Sequence, residues 1–369
     1  MKIGIVTLQE TNNYGAVLQA FALQTALQKL GHAPFFPAIQ PSLMHRRGIR
    51  KVIGRSIGET CAKCYELAKF AVFERFRKRY LQRGVSPKRM LAPEFLRTPI
   101  DAPVYITGSD QVWNPNATLP GSADRALFWL DFLDDRIRRI AYGPSFGTTD
   151  IPDAEKPELA RYISKFNFVS VREVEALPIV ASLGKSATWV CDPTLLLSAD
   201  DYKCLMPHTG ECDHINKYLY EYVLHWGTAV SSRQVREYIA RRRNMRVYSP
   251  FPKNLKADYH IATFDSPGRW VQRIANAEFV LTNSFHGTAF CILFKRPFIT
   301  IPLSGDAAKS NGRIVSLLNR LGLSGRILKS GLEANIEHIM KQDIDWTFAH
   351  GALNAWRKES QDYLIRALS

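Results

Sequence analysis

The sequence predicts an α/β protein with two Rossmann-like lobes, each built on a parallel sheet that helices cover on both faces. The chain has 369 residues, which exceeds the size at which a single hydrophobic core usually keeps growing. Short apolar runs typical of buried strands alternate with segments of helical periodicity. This alternation closes at Asp192-Pro-Thr194 and begins again near Lys217, so we expect a boundary between the lobes near residue 195.

The first lobe, residues 1–195, opens with an apolar strand at residues 2–7. A helix follows, because apolar residues recur at spacings of three and four from Ala16 to Leu30 and Gly31 is a helix stop. Further strands are predicted at residues 103–107, 139–142, 166–171 and 187–190.

The second lobe, residues 196–345, repeats the pattern. Its strands are predicted at residues 217–223, 245–248, 279–282 and 298–301. Residues 349–368 have helical spacing, and we expect residues 346–369 to form a C-terminal helix that packs back on the first lobe. In such folds the default ligand site lies outside the carboxyl ends of the strands.

The composition is that of an ordinary globular protein, with 46% apolar and 22% charged residues. No stretch approaches the roughly 18 apolar residues that a membrane crossing needs, and a strand begins at Lys2 without the regions of a secretory leader. We therefore expect a cytoplasmic protein. Cys61 and Cys64 are spaced C-x-x-C, but no second pair or nearby His completes a metal site.

The formal net charge is +15, and basic residues cluster at 46–55, 75–83, 136–139 and 236–246. Such clusters are either a solvated face or a surface that attracts nucleic acid, a membrane or a phosphorylated substrate. Because no recognition helix, zinc finger or aromatic RNA-binding motif accompanies them, we expect no nucleic-acid partner. Charge alone supports the hypothesis of peripheral contact with an anionic membrane, with Arg46, Arg47, Arg50 and Lys51 among the contacts.

His286 lies in the most informative segment, Phe279-Val-Leu-Thr-Asn-Ser-Phe-His-Gly-Thr-Ala-Phe290. This pattern predicts a buried strand that runs through a polar turn into a helix. The N–H groups and the dipole at a helix start attract anions, and an imidazole beside such a site can donate a proton near neutral pH. A buried structural histidine is the alternative, but the strand, turn and helix favour a functional role.

Two further strand ends carry candidate groups. Asp110, in Thr107-Gly-Ser-Asp-Gln-Val-Trp-Asn-Pro115, is a candidate base or acceptor-binding carboxylate, or else a turn cap. Arg172, in Val169-Ser-Val-Arg-Glu173, is suited to binding a carboxylate or phosphate, or else to pairing with Glu173.

Several cofactor and enzyme classes lack their motifs. The sequence contains neither of the two Gly-rich phosphate-binding motifs, the dinucleotide-binding G-x-G-x-x-G and the P-loop. It also lacks a convincing spacing of metal ligands and the G-x-S-x-G elbow of a serine hydrolase. We therefore expect neither a metal nor a nucleotide cofactor.

Six segments in order strongly resemble the polysaccharide pyruvyl transferase family, from about residue 2 to residue 326. They are Asn12-Asn-Tyr-Gly-Ala-Val-Leu-Gln19, Gly108-Ser-Asp-Gln-Val-Trp113, Ser145-Phe-Gly147, Ser170-Val-Arg-Glu173, Asp192-Pro-Thr194 and Thr282-Asn-Ser-Phe-His-Gly287. The resemblance implies a GT-B-like fold and transfer of pyruvate from phosphoenolpyruvate to sugar hydroxyls, which forms a ketal and releases phosphate. It also implies a role in exopolysaccharide and cell-envelope synthesis.

The resemblance assigns roles to individual residues. His286 matches the family's catalytic acid, Arg172 an anion-binding arginine, and Asp110 a position near the acceptor, where we expect it to act as the base. We expect the amides near Gly287 and Thr288 to bind the donor anion together with Arg172. The other predicted substrate-binding residues are Asn13, Tyr14, Ser109, Ser145, Asn283, Ser284 and Arg313.

One position departs from the family pattern. Better-known members have Arg two residues before the histidine, whereas this chain has Ser284. The missing charge must then come from Arg172, the helix start, or another cation such as Lys309 or Arg313.

The expected partners are phosphoenolpyruvate, as a co-substrate, and a sugar or a lipid-linked oligosaccharide. The first lobe is expected to hold the acceptor and the second the donor. Two alternatives stay open: a GT-B glycosyltransferase that uses a nucleotide sugar, and a catalytically silent partner in carbohydrate assembly.

Overall fold

A computed structural model of the chain describes residues 1–40, 57–84, 90–97, 99–207, 217–224, 227–251 and 260–369. The basic cluster at residues 46–55 lies outside the described residues, as do the contacts predicted for Arg46, Arg47, Arg50 and Lys51 and the side chain of Cys61. The chain separates into two compact units. The first comprises Met1–Leu196 with Glu359–Ser369, and the second comprises Leu197–Lys358.

The first unit is built on a six-stranded parallel sheet with the strand order β2-β1-β5-β6-β7-β8, and β3 pairs with β4 in a separate parallel ladder. The strands are β1 (Lys2–Val6), β2 (Ala33–Phe35), β3 (Ile39–Gln40), β4 (Met90–Leu91), β5 (Val104–Thr107), β6 (Arg138–Ala141), β7 (Phe168–Val171) and β8 (Thr188–Trp189). The helices are α1 (Tyr14–Lys29), α2 (Ile57–Tyr80), α3 (Ala92–Phe95), α4 (Ala123–Phe128), α5 (Lys156–Ser164), α6 (Ala176–Ser182) and α7 (Pro193–Leu196).

The second unit contains a five-stranded parallel sheet with the order β11-β10-β9-β12-β13. Its strands are β9 (Tyr218–Tyr222), β10 (Arg246–Ser249), β11 (His260–Ala262), β12 (Phe279–Thr282) and β13 (Phe298–Thr300). Its helices are α8 (Ser232–Arg242), α9 (Pro267–Asn276), α10 (Phe285–Leu293), α11 (Gly312–Arg320), α12 (Glu333–Lys341) and the long α13 (Trp346–Leu368), which continues into the first unit. The prediction of an α/β fold with two parallel sheets is confirmed.

Most strand residues are buried, as expected of parallel sheets that helices cover on both faces. All four residues of β5 and all four of β12 are buried. In the first unit, the ring of Trp113 stacks on that of Trp129, with centroids 4.3 Å apart and planes 4° apart. The tryptophan that closes the Gly108-to-Trp113 motif is therefore a core residue, and it anchors the turn that precedes it.

The C-terminal helix α13 divides between the two units. Residues 346–358 group with the second unit, where His350 Nε2 lies 2.9 Å from the Ile292 carbonyl oxygen. Residues 359–369 group with the first, where the Tyr363 hydroxyl donates to the Ala141 carbonyl. The expected packing of residues 346–369 on the first lobe therefore applies to the last part of the helix alone. Within the described part of the chain, none of the helices has the length and the apolar character that a membrane crossing requires.

Candidate functional site

Each sheet changes the direction of its strand order at one place, and this switch point leaves a crevice where ligands of open α/β sheets bind. In the first unit the switch lies between β1 and β5, and in the second it lies between β9 and β12. The turn that carries Ser109 and Asp110 follows β5, and the turn that precedes His286 follows β12. The motifs singled out in the sequence therefore lie at both switch points.

The turn after β12 is fixed to the end of β9. Thr282 Oγ1 donates to the Tyr222 carbonyl over 2.7 Å and accepts the Ser284 N–H over 3.0 Å. Asn283 Oδ1 accepts the Leu224 N–H over 2.8 Å. Thus Asn283 holds the backbone of the turn, and the structure gives its oxygen a protein partner.

Ser284 is the N-cap of α10, and its Oγ accepts the Gly287 N–H over 3.3 Å. Serine is among the preferred N-cap residues because its hydroxyl satisfies an N–H that lacks a helical partner. The residue that departs from the family pattern therefore has a defined structural role, which is to start the helix.

His286 is the second residue of α10 and is 7% exposed. Its ring meets that of Phe285 edge-on, with centroids 5.3 Å apart. The predicted strand, turn and helix around His286 are confirmed. The imidazole thus lies at the positive end of a helix dipole, which favours a nearby anion.

The amides expected to bind the donor anion have other acceptors. The Gly287 N–H donates to Ser284 Oγ, and the Thr288 N–H donates to the Ser284 carbonyl over 2.9 Å. Both amides therefore help to close the first turn of α10, and their contact with the donor anion stays a prediction. The Thr288 hydroxyl is also buried, 3.1 Å from that of Thr300.

The two other candidate cations of the second unit follow β13, which lies beside β12 in the sheet. Lys309 is exposed in the 3-10 turn Gly305–Asn311, and Arg313 is half-buried at the start of α11, where its Nε donates to the Ser310 carbonyl. Their roles as replacements for the family arginine stay predictions.

In the first unit, Ser109, Asp110 and Ser145 come together as their positions after β5 and β6 suggest. Ser109 Oγ donates to the Gly143 carbonyl over 2.6 Å, and the Ser145 N–H donates to the Asp110 carbonyl over 2.8 Å. Ser145 Oγ in turn accepts the Gly147 N–H over 3.1 Å. Asp110 has a φ of 67°, a left-handed conformation in which aspartate is enriched among non-glycine residues.

Arg172 lies at the end of β7 among three carboxylates. Its Nη1 is 2.9 Å from Asp192 Oδ2, its Nη2 is 3.2 Å from Asp110 Oδ1, and its Nε is 3.8 Å from Glu173 Oε2. The guanidinium side chain is 0% exposed. This geometry conflicts with the predicted contact between Arg172 and a donor anion, because the side chain is enclosed and its charge is outnumbered by carboxylates.

Asp192 anchors this cluster and was not among the predicted site residues. Its Oδ1 accepts both the N–H and the hydroxyl of Thr194, and its Oδ2 accepts from Arg172 and lies 3.2 Å from Ser109 Oγ. The Asp192-Pro-Thr194 segment, which follows a strand, was the feature of the sequence that could have pointed to Asp192. Of the three carboxylates, Asp110 is the most accessible, with 13% of its side chain exposed against 4% for Glu173 and 0% for Asp192.

Asn13 and Tyr14 begin α1, after the loop that follows β1. Asn13 is exposed, and its Oδ1 caps the helix by accepting the Ala16 N–H over 3.2 Å. Tyr14 is buried, with its ring centroid 5.1 Å from that of Phe73, and its contact with a substrate stays a prediction. Across the described residues, no group of three or more His, Cys, Asp or Glu side chains is arranged to hold a metal ion.

Comparisons with known proteins agree on the fold. The chain is similar to UDP-GlcNAc 2-epimerase from Methanocaldococcus jannaschii in complex with UDP-GlcNAc and UDP, at 12% identity and a TM-score of 0.53, covering 100% of this chain and 99% of that one. It is also similar to the Neisseria meningitidis enzyme bound to UDP-GlcNAc, at 8% identity and a TM-score of 0.53, with the same coverage. At such identities the likeness concerns the fold alone, and it confirms the GT-B-like class. A comparison with curated proteins finds no match.

The family comparison covers most of the chain. A model described as polysaccharide pyruvyl transferase matches residues 13–305, a range that includes Asp110, Arg172 and His286. On this match, the chain belongs to the polysaccharide pyruvyl transferase family, as its sequence motifs predicted.

Proposed function

We propose that this protein transfers pyruvate from phosphoenolpyruvate to two hydroxyls of a sugar in a polysaccharide or its lipid-linked precursor. The observation that carries the proposal is His286 at the start of α10, at a sheet switch point, in a chain of the polysaccharide pyruvyl transferase family. A general acid beside an anion-attracting helix start is what protonation of phosphoenolpyruvate requires.

The reaction balances with one acid and one base. His286 gives a proton to the methylene carbon of phosphoenolpyruvate, and the central carbon becomes cationic. The oxygen of one sugar hydroxyl bonds to that carbon while the base takes its proton. The carbon–oxygen bond to phosphate then breaks, and a second hydroxyl adds and loses its proton, which closes the ketal. One proton restores the acid and the other leaves with the phosphate.

Charge supports placing the donor on the second unit and the acceptor on the first. The cluster around Arg172 holds three carboxylates against one guanidinium, so it disfavours a strongly anionic donor. The dipole at the start of α10, by contrast, attracts an anion. Asp110, the most accessible of the three carboxylates, can accept the proton of a neutral sugar hydroxyl.

The proposal is tested by phosphate release from phosphoenolpyruvate across a panel of free and lipid-linked sugars. The expected result is release that depends on one class of sugar, with a product whose mass increases by that of pyruvic acid less one water. Consumption of a nucleotide sugar instead would support the glycosyltransferase alternative, since the related folds named above are reported with UDP-GlcNAc or UDP bound. Absence of any turnover would support a silent partner.

Replacing His286 with glutamine is predicted to lower turnover by on the order of a hundredfold or more, because a general acid is lost. The melting temperature should change little, since glutamine retains a polar, hydrogen-bonding side chain. His338→Gln is the matched control, because His338 is exposed on α12 of the same unit. Near-normal phosphate release by folded His286→Gln protein would remove His286 from the mechanism.

A further inference from the structure

The loop between β1 and α1, residues 7–13, lies at the switch point of the first unit. Its first residue is tied to the turn after β5, since Thr7 Oγ1 donates to the Ser109 carbonyl over 3.1 Å. Gln19 bridges the same two segments, because its Nε2 donates to Thr7 Oγ1 and its Oε1 accepts the Ser109 N–H. The start of the loop and the turn that carries Asp110 are therefore hydrogen-bonded to each other at the same edge of the sheet.

Helix α2 holds this loop in place through a buried arginine. Arg77 is fully buried, and its Nη1 donates to the Thr11 carbonyl over 3.0 Å. Its Nη1 and Nη2 lie 3.5 and 3.4 Å from Asn12 Oδ1. Its Nε donates to Glu74 and lies 3.8 Å from Glu10. One guanidinium thus spans the loop from residue 10 to residue 12.

These contacts fix which way the Asn12 amide faces. An arginine side chain has only donors, so the oxygen of the Asn12 amide must face Arg77 and the nitrogen must face away from it. The orientation of the Asn13 amide is fixed in the same way, because Asn13 Oδ1 accepts the Ala16 N–H. Asn12 is half-buried and Asn13 is exposed.

We propose that Asn12 is a specificity-determining residue that donates from Nδ2 to an oxygen of the acceptor sugar, and that Arg77 is the residue that positions it. This inference rests on the proposed function, which places the acceptor on the first unit. A sugar hydroxyl both donates and accepts, so it is matched by a neutral amide donor and the Asp110 carboxylate on the same edge. Sites that hydrogen-bond a hydroxyl discriminate strongly against analogues that lack it.

Asn12→Asp is the primary test, because it keeps the shape, strengthens the pairing with Arg77 and replaces the donor that faces away from Arg77 with an acceptor. From the panel of free sugars, the oligosaccharide that the unmodified protein binds most tightly is chosen, and its binding is measured by calorimetry without phosphoenolpyruvate. KM and kcat are measured by phosphate release. We expect sugar affinity to fall about tenfold, as the loss of one hydrogen bond allows. The KM for phosphoenolpyruvate and the melting temperature should be unchanged.

Arg77→Met tests the positioning role, with Arg75→Met, an exposed arginine of the same helix, as the control. We expect Arg77→Met to weaken sugar binding as Asn12→Asp does. The double variant should bind sugar no more weakly than the single variant with the lower affinity, because both changes remove the same interaction. Unaltered sugar affinity in folded Asn12→Asp protein, or binding of no sugar by the unmodified protein, would overturn the inference. Weakened binding in a protein that releases no phosphate would leave the inference standing and reject the proposed reaction.

Discussion

Arg172 shows how a single buried charge organises a group of acidic residues. Breaking a buried ion pair by removing one partner typically costs about 3–5 kcal/mol, because the remaining charge is left in a medium of low dielectric. Arg172 has three carboxylate neighbours, among them the fully buried Asp192. Its loss would therefore leave several buried negative charges without their counter-charge.

Arg172→Met is predicted to lower the free energy of unfolding by roughly 3–5 kcal/mol, measured by urea denaturation. Arg161→Met is the control, because Arg161 is half exposed and its pairing with Asp131 is a surface ion pair of small value. A stable Arg172→Met protein with a raised KM for phosphoenolpyruvate would restore the direct contact with the donor that the sequence resemblance implied.

The sequence could predict the strand, turn and helix around His286 and a pairing of Arg172 with Glu173, but not the contacts of Arg172 with Asp110 and Asp192, for a physical reason. His286 depends on local order, a strand followed by a capped helix, and local order is readable from apolar runs and an N-cap residue. Asp110 and Asp192 are 62 and 20 residues away from Arg172 along the chain. Their convergence depends on strand order, and a pattern of residue types does not determine that order.

At the scale of elements, the turn from β12 into α10 is packed so tightly that Gly287 has no room for a side chain. A Cβ at this position would lie 2.4 Å from Thr282 Oγ1 and 3.2 Å from the Tyr222 ring. Thr282 Oγ1 cannot move freely, because it bonds both the Tyr222 carbonyl and the Ser284 N–H. The glycine after His286 is therefore required by the packing of the turn.

Gly287→Ala is predicted to destabilise the protein by about 1–3 kcal/mol, the usual cost of overpacking. Gly351→Ala makes the same change inside α13, where a Cβ would meet nothing within 4 Å, and it should stabilise by roughly 0.5–1 kcal/mol. Thermal or urea unfolding of both variants measures the difference. Equal effects at the two sites would show that the β12–α10 turn can relax.

The strand β12 and the edge strands β8 and β13 were predictable from apolar runs, whereas the edge strands β2 and β11 were not. The strand β12 has the predicted bounds, Phe279–Thr282. The edge strands β2 and β11 have three residues each, and β2 contains a proline, which is common at sheet edges. The pairing of β2 with β1 and of β11 with β10 becomes visible only in the folded chain.

His350 ties α13 to α10 and makes their contact sensitive to pH. Partial burial lowers the pKa of His350 below 6.5, and the positive charges of Lys295 and Arg357 act in the same direction. Because the Ile292 carbonyl can only accept, Nε2 carries the proton of the neutral ring. A histidine whose folded pKa is lowered contributes stability above its unfolded pKa, and this contribution is lost as the pH falls.

Acidification from about pH 7.5 to about pH 5.5, across the unperturbed histidine pKa, is therefore predicted to lower the melting temperature. His350→Gln keeps a donor for the Ile292 carbonyl and removes the titration, so its melting temperature should fall less over the same interval. Parallel curves for the two proteins would mean that other groups account for the pH dependence.

For the whole molecule, the alternation of strands and helices predicted two parallel sheets, but it could not give their strand orders. Each sheet places its first strand, β1 or β9, inside the sheet, and the chain then extends the sheet on both sides. This arrangement creates the switch points where Asp110 and His286 lie. The order follows from long-range pairing, such as Val6 beside Thr107, which sequence periodicity does not encode.

The excess positive charge of the molecule is less available at its surface than the sequence suggests. Three arginines of the predicted basic clusters are buried: Arg77 pairs with Glu74, Arg236 pairs with Glu221, and Arg139 donates to main-chain carbonyls. They contribute to folding and not to a surface patch. If the protein contacts an anionic membrane, the attraction must depend on exposed clusters and on residues 46–55.

Reversible, salt-sensitive binding to anionic vesicles is therefore predicted, with Arg46, Arg47, Arg50 and Lys51 as main contributors. Each basic residue near an anionic bilayer contributes about 1 kcal/mol, and the attraction fades beyond a Debye length of about 8 Å at physiological salt. Sedimentation with phosphatidylserine vesicles at low and high salt measures it. Replacing these four residues with glutamine should abolish most binding while turnover on a free sugar is retained.

Replacing the exposed Arg233, Arg241, Arg242 and Arg246 changes the net charge equally and should have a smaller effect. Equal losses would indicate a general charge effect, and no binding at low salt would refute membrane recruitment.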